Sequence, residues 1–290
     1  MKELIRNLLL PAYLNCKICR IYIYEQFWNE GDCFSWCKSC QFFTKWNNYT
    51  NLCSIKIKLP ILETIICMFV NLKSAKDTLD FLKMDFTQLN IKTVRRFYKL
   101  LGKICHYYYN LYLSNAQLTG HTEVDETHLY KEKKTSAFHR SYSTKSVWLF
   151  GMRNRDKSSF IILPVYCRNK ETLIPIIEKY IKKGSTIYSD SFSVYVNNYT
   201  KPKSSHLTSL GYAHYFGNHS YEFVSDFFPE INTNYIENLW WSLKNFTKKN
   251  KFYKLFELSI ARFFMVKVYK SNDLLEKIIY ALKNQDLYDI

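Results

Sequence analysis

Three acidic residues occupy positions where a carboxylate is costly without a partner. Asp125 lies inside an alternating, strand-like run, Glu123-Val-Asp-Glu-Thr-His. Asp190 closes a second such run, Ile187-Tyr-Ser-Asp-Ser-Phe, and Glu237 sits in a helical stretch, Asn234-Tyr-Ile-Glu-Asn-Leu-Trp. A carboxylate in an apolar strand is expensive to bury unless it holds a cation. Three carboxylates converging from two neighbouring strands and a helix suit Mg²⁺, a hard ion that takes oxygen ligands, keeps several waters and contacts substrate phosphate. Two such ions about 4 Å apart activate an attacking water or 3′-hydroxyl and stabilise the leaving oxygen; Mn²⁺ is the natural substitute. Lys244 follows Glu237 by seven residues and so shares its helix face, where a lysine can touch a phosphate backbone. Glu126 reads as a neighbouring surface residue or a support for the ligands rather than a third ligand.

A second group of ligand types lies near the N-terminus. Six of the nine cysteines fall within residues 16–53. Cys16-x-x-Cys19 and Cys37-x-x-Cys40 are separated by seventeen residues. Each pair can form a tight turn that aims two thiolates at one ion, and two such turns complete a tetrahedral zinc site, as in a zinc ribbon. Cys33 is a rival for the place of Cys37. Cys53, Cys67, Cys105 and Cys167 read as small buried residues.

The elements that must position these groups can be read from periodicity. Residues 56–115 are helical in pattern: a buried helix over Leu59–Leu72 opened by Pro60, a short one from Ser74, and a third from an N-cap at Asn90 through Tyr109. In the third, Ile91, Val94, Tyr98, Leu101 and Cys105 form an apolar stripe. Lys92, Arg96, Lys99 and Lys103 recur at i, i+4, i+7 and i+11 on another face, and no acidic residue lies between Phe86 and Lys103. Such a helix after two shorter ones suits a helix-turn-helix lying on DNA, and equally an amphipathic helix with a solvated basic face. From residue 118 strands take over: Thr122–Leu129, Val147–Gly151, Phe160–Val165, Ser185–Ser189 and Tyr212–Phe216, with a helix over Glu171–Lys183 ended by Gly184 and another over Asn234–Lys249. Leu255 onward is helical again. The expected order β-β-β-α-β-α-β-α is that of a ribonuclease H-like α/β domain, a mixed sheet flanked by helices.

Composition agrees with a folded protein that meets a polyanion. The chain has 290 residues, 47% hydrophobic and 23% charged, which excludes wholesale disorder. Lys plus Arg is 41 against 25 for Asp plus Glu, a formal charge of +16, and this excess points first to nucleic acid. The aromatic content of 18% against only seven glycines accompanies heavy use of Lys, Asn and Ile, the bias of an AT-rich genome, so aromatic clusters carry little weight by themselves. The longest apolar run, Leu59–Leu72, contains Glu63 and is too short to span a bilayer. A soluble intracellular protein is expected, nuclear if its source is eukaryotic, with no membrane partner.

Taken in order, the motifs resemble the Merlin superfamily of DNA transposons and its bacterial insertion-sequence relatives, DDE transposases with a zinc ribbon ahead of the catalytic domain. The matching stretches are Val124-Asp-Glu, Val147-Trp-Leu-Phe-Gly, Arg168 ahead of Glu171-Thr-Leu-Ile-Pro-Ile-Ile, and Gly184-Ser-Thr-Ile-Tyr-Ser-Asp-Ser-Phe-Ser-Val-Tyr. Gly211-Tyr, Asn218-His219, Thr233-Asn-Tyr-Ile-Glu-Asn-Leu-Trp and Lys244 complete the series; the two Cys pairs and Trp36 agree more loosely. The resemblance implies that Asp125, Asp190 and Glu237 are the catalytic triad, spaced by 65 and 47 residues, and that Lys244 is the basic residue following it. His219, retained from the family, is a candidate to hydrogen-bond the scissile phosphate, with a structural loop role as the alternative. The family's usual His two residues before the Asn of the last motif is replaced by Asn232, which cannot act as an acid or base.

The expected organisation is a zinc ribbon over 1–55, a helical DNA-binding segment over 56–117, the catalytic domain over 118–254 and C-terminal helices over 255–290. The expected activity is Mg²⁺-dependent cleavage and strand transfer on double-stranded DNA. The protein would act as a homo-oligomer assembled on transposon ends, with one structural Zn²⁺ per chain. The rival expectations are a transposase-derived DNA-binding protein without catalysis and a nuclease on the same fold.

Overall fold

The computed structural model describes residues 1–10, 14–16, 18–23, 26–29, 32–46, 57–135, 142–198, 204–217, 232–250 and 256–284. The chain divides into two compact units, Met1–Asn110 with Ala261–Ile290, and Leu111–Ile260.

The first unit opens with α1 (Lys2–Leu9). Two small antiparallel sheets follow: β1 (Leu14–Asn15) with β2 (Tyr22–Ile23), and β3 (Gln26–Asn29), β4 (Asp32–Trp36) and β5 (Phe43–Lys45) in that order. Three helices come next: α2 (Leu59–Val70), α3 (Ala75–Leu82) and α4 (Ile91–Asn115), the last of which runs five residues into the second unit. The start of α3 obeys local chemistry. Ser74 accepts from the Asp77 backbone N–H while Asp77 accepts from that of Ser74, so two orphan donors of the first turn are satisfied reciprocally. α2 stops at Val70, two residues short of the expected end, and Leu72 turns left-handed with φ 55°. Its freed carbonyls are met by buried Arg262, which donates to the Phe69 carbonyl through Nε and Nη2 at 3.0 and 2.6 Å and to that of Lys73 at 2.9 Å. Arg262 lies on α8 (Phe256–Val268), which is followed by α9 (Ser271–Lys283). The C-terminal helices thus belong with the N-terminal ones, a return of the chain that no local pattern announces.

The second unit is built on five strands: β6 (His121–Thr135), β7 (Tyr142–Asn154), β8 (Phe160–Val165), β9 (Thr186–Asp190) and β12 (Ala213–Gly217). Their order across the sheet is β12-β9-β6-β7-β8. The meander β6-β7-β8 is antiparallel, while β9 runs parallel to β6 and β12 parallel to β9. Between β8 and β9 lies α5 (Lys170–Tyr180), capped by the Asn169 side chain on the Thr172 N–H at 3.2 Å. α5 ends earlier than its apolar pattern because Ile181 turns extended and bridges Leu118, whose N–H donates to the Tyr180 carbonyl at 2.7 Å. The helix expected between β9 and β12 is reduced to one turn, α6 (His206–Ser209), beside a small ladder of β10 (Val196–Asn198) and β11 (Ser204–Ser205). α7 (Asn234–Asn250) closes the unit.

Each face of the central strand β6 has its own occupant. Val124, Phe150, Met152, Ile161 and Ile187 point to the face covered by α5 through Leu173 and Ile177, the main apolar core of this unit. The alternate residues of β6, Glu123 and Asp125, face α7. Among the described residues no helix is long and apolar enough to cross a membrane.

Candidate active site

Asp125 is paired with Gly151 of β7 and lies two positions beyond the last β6–β9 pair, Glu123 with Tyr188. The pairing stops there; the same parallel register, carried two residues further, would bring Asp125 level with Asp190, the final residue of β9. Pleat alternation puts both on the face that carries α7. Asp190 Oδ1 accepts the Phe192 backbone N–H at 3.1 Å, which turns the chain away from the sheet just after the carboxylate. Glu237 enters from the first turn of α7, exposed, with its Oε1 accepting from the Thr233 hydroxyl at 3.0 Å.

Asp125 feels the charges of the other two acids. Burial is the main cause that pushes Asp125 up to about 6; the Trp240 indole opposes it, and the negative charges of Asp190 and Glu237 add to it. Among the described residues no cation pairs with Asp125 or Asp190, so this cluster of negative charge fits a divalent ion bound through oxygen. The three carboxylates do not all lie within 4.8 Å of one another, the separation that marks the four-cysteine group described below.

Several residues that the sequence did not single out hold this arrangement. Trp240, 4% exposed, donates its indole N–H to Asp125 Oδ2 at 2.8 Å. It can do so because the residue opposite Asp125 is glycine: a Cβ on Gly151 would stand 2.5 Å from the Trp240 ring and 3.0 Å from Ile236. Gly151→Ala must therefore push α7 off the sheet. It should lower stability by about 1–3 kcal/mol, the usual cost of overpacking. A urea midpoint equal to that of wild type would show that α7 can shift at no cost.

Glu123 is fully buried. Its Oε2 accepts the Ile236 backbone N–H at 2.7 Å and its Oε1 the Arg155 Nε at 2.8 Å. A strand carboxylate thus satisfies one of the four orphan donors at the start of α7. Arg155 also donates to the Asn232 carbonyl, and its guanidinium lies 3.6 Å from the Tyr188 ring. Arg153 donates to the Tyr235 carbonyl at 2.8 Å. Asn232 acts locally at the helix entry, where its Oδ1 accepts the Asn234 N–H at 3.3 Å.

Glu126 points to the opposite face. Its side chain is buried rather than at the surface, takes a hydrogen bond from the Tyr195 hydroxyl, and lies 4.0 Å from Arg168, which stacks on Trp148. Burial pushes Glu126 up to about 7.

The four expected cysteines come together. Cys16, Cys19, Cys37 and Cys40 place all four sulfurs within 4.8 Å of one another, with Cys16–Cys40 at 3.3 Å and Cys19–Cys37 at 3.4 Å. A Zn–S length near 2.3 Å implies tetrahedral edges of about 3.8 Å, so the cluster is of zinc size. Each pair is carried by a similar turn. The Cys16 N–H bonds the Ile21 carbonyl and the Cys37 N–H that of Phe42, and Arg20 and Gln41, just after each second cysteine, both have φ 58°. The Cys19 backbone N–H is the chief cause that lowers Cys16 to about 6, whereas burial raises Cys40 to about 12. Cys33 lies in β4 opposite Trp28 and outside the cluster, which answers its rivalry with Cys37. The purified protein should carry about one zinc per chain. Cys16→Ser should lose it and Cys33→Ser keep it; zinc retained by Cys16→Ser would refute the ligand set.

Lys92, Arg96, Lys99 and Lys103 are all exposed on α4, while Val94, Tyr98, Leu101 and Cys105 are buried and Ile91 half-buried. Lys244 is exposed on α7, seven residues after Glu237. His219 lies outside the described residues.

Comparison with known proteins bears on the same stretch. Residues 117–256 match the family model of the ISXO2-like transposase domain. The matched span contains Asp125, Asp190, Glu237 and Lys244. It supports an insertion-sequence DDE transposase family for this part of the chain and implies DNA as its partner. No curated protein matched the chain.

Proposed function

We propose that the protein is a cut-and-paste transposase of the Merlin superfamily or its insertion-sequence relatives. In this reading it binds terminal inverted repeats, cuts the element ends in a metal-dependent reaction and joins the freed 3′-hydroxyls to target DNA. What carries the proposal is that Asp125 and Asp190 come from neighbouring parallel strands and Glu237 from the first turn of α7, with the charges of Asp190 and Glu237 acting on Asp125. The strand order, three antiparallel strands followed by two parallel ones, supports a ribonuclease H-like domain.

Bound there, two Mg²⁺ ions would make the attacking water or hydroxyl a nucleophile and neutralise the leaving oxygen. The chain's own part is to hold the three carboxylates before DNA arrives. The sheet fixes Asp125 and Asp190, and the Trp240 indole orients the Asp125 carboxylate. The seating of α7 on Glu123 fixes the helix turn from which Glu237 projects. Lys244, on the same face as Glu237, binds the phosphate backbone beside the cut.

Lys92, Arg96, Lys99 and Lys103 are read as further phosphate contacts, and the zinc-bound segment as part of the end-binding apparatus. The active species is read as a homo-oligomer holding two ends. Each phosphate contact removed should flatten the log–log salt dependence of DNA binding by about one unit. Reversal of charge at Arg96 and Lys99 together should therefore weaken binding and reduce the slope by about two. An unchanged slope would mean that this face meets only solvent. The whole reading is tested by the flanking genomic DNA together with the purified protein. Terminal inverted repeats bounded by a short duplication, bound in preference to random duplex, are expected; repeats absent and binding indifferent to sequence would overturn it.

A further inference from the structure

α7 carries two adjacent tryptophans with opposite fates. Trp240 is 4% exposed and orients Asp125, whereas Trp241 is 70% exposed. Successive helical residues point about 100° apart, so only one of the two can face the sheet. An indole offers some 150–250 Å² for burial, and Trp241 leaves most of that unused within the chain. Its neighbours on the helix surface are polar. Glu237, Trp241 and Lys244 follow at i, i+4 and i+7, flanked by Asn234 and Asn238, and all five are exposed. Trp241 therefore stands one turn, about 6 Å along the axis, from the candidate metal ligand Glu237, and about 4.5 Å before the lysine that would hold phosphate.

Resting on the function proposed above, we propose that Trp241 stacks on an unpaired base of the DNA next to the cleavage point. A base in a duplex hides its faces in the stack. A base freed at a strand end or extruded beside the cut presents a flat π-surface that an exposed indole can cover. The polar, lysine-bearing surround suits a base attached to a phosphate chain. A docking patch for a protein partner or a second copy would instead carry apolar residues around its aromatic anchor.

The test uses the full-length protein and two duplexes of the same sequence without divalent ions, so that no strand is cut. One is fully paired; the other carries a single unpaired 2-aminopurine at its end. Wild type should bind the second about tenfold more tightly than the first, the scale of one base–aromatic stack, and should quench the probe. Trp241→Ala, at an exposed position, should bind the paired duplex as wild type does and lose both the preference and the quenching. Trp241→Phe should restore most of both. Preference and quenching retained by Trp241→Ala would overturn the inference. So would an equal loss on both duplexes, or a change in oligomeric state with DNA binding untouched, which would assign Trp241 to a protein contact. Failure of wild type to bind the paired duplex at all would instead overturn the proposed function beneath it.

Discussion

Asp190→Asn should fold, bind DNA and fail to cut it. Asparagine keeps the shape of the side chain, and its carbonyl can still accept the Phe192 N–H that Asp190 Oδ1 accepts now, so the turn after β9 survives. What disappears is one negative charge at the end of β9, the strand beside the one that carries Asp125. A neutral amide is a poor ligand for Mg²⁺, which is bound through one or two carboxylates together with substrate phosphate. Removing a single group that stabilises transition-state charge commonly costs about 10²–10³-fold, and loss of a carboxylate that would hold the metal should cost at least that. The check is a labelled DNA end incubated with Mg²⁺, with binding measured on the same preparation. Cleavage within about threefold of wild type would remove Asp190 from the reaction, since even one such group is worth more.

Glu123→Ala should be the most damaging change outside the triad. The carboxylate is fully buried, and its two oxygens serve the Ile236 N–H and the Arg155 guanidinium. Truncation leaves a buried donor at the start of α7 without this acceptor and a largely buried cation without this counter-charge. Breaking a buried pair from one side costs about 3–5 kcal/mol. Because α7 brings Glu237, cleavage should fall as well. Glu123→Gln keeps an acceptor for Ile236 but not the counter-charge on Arg155, and should recover only part of the stability. Urea unfolding of the two variants decides the point. A Glu123→Ala protein within about 0.5 kcal/mol of wild type, the range of an ordinary surface change, would show that α7 is seated by its apolar face alone.

The strands, the helices and the cysteine pairs were legible in the sequence because each rests on a local signal. Phe160–Val165 is apolar without interruption and follows the polar stretch Asn154–Ser159, and it forms β8 as expected. Ser74 and Asp77 announce the start of α3. The two C-x-x-C pairs pointed to Cys16, Cys19, Cys37 and Cys40 but left Cys33 as a rival for Cys37, and the structure gathers the four without it. What the sequence withheld was relational. Glu123 differs from Asp125 only in what lies opposite it: an arginine just beyond the far end of β7 and a helix N-terminus 113 residues later. Gly151 closes a matched motif in the sequence, but the reason for a glycine there is seen only with Trp240 against it. The alternation that set Asp125 toward one face already set Glu123 there too, and that was the available clue. Helix ends failed for the same reason: α5 stops where Ile181 finds Leu118, a partner 63 residues earlier. The exposure of Trp241 beside the burial of Trp240 could be guessed from neither residue alone.

The most direct measurement is cleavage of a labelled terminal repeat by the wild-type protein in parallel reactions with chelator, Ca²⁺, Mg²⁺ and Mn²⁺. The account predicts breaks at the repeat end that leave 3′-hydroxyls, with Mg²⁺ and Mn²⁺ only, and joining of those ends to added target DNA. Binding of the repeat without a cut in either ion, or cutting that continues in chelator, would contradict it.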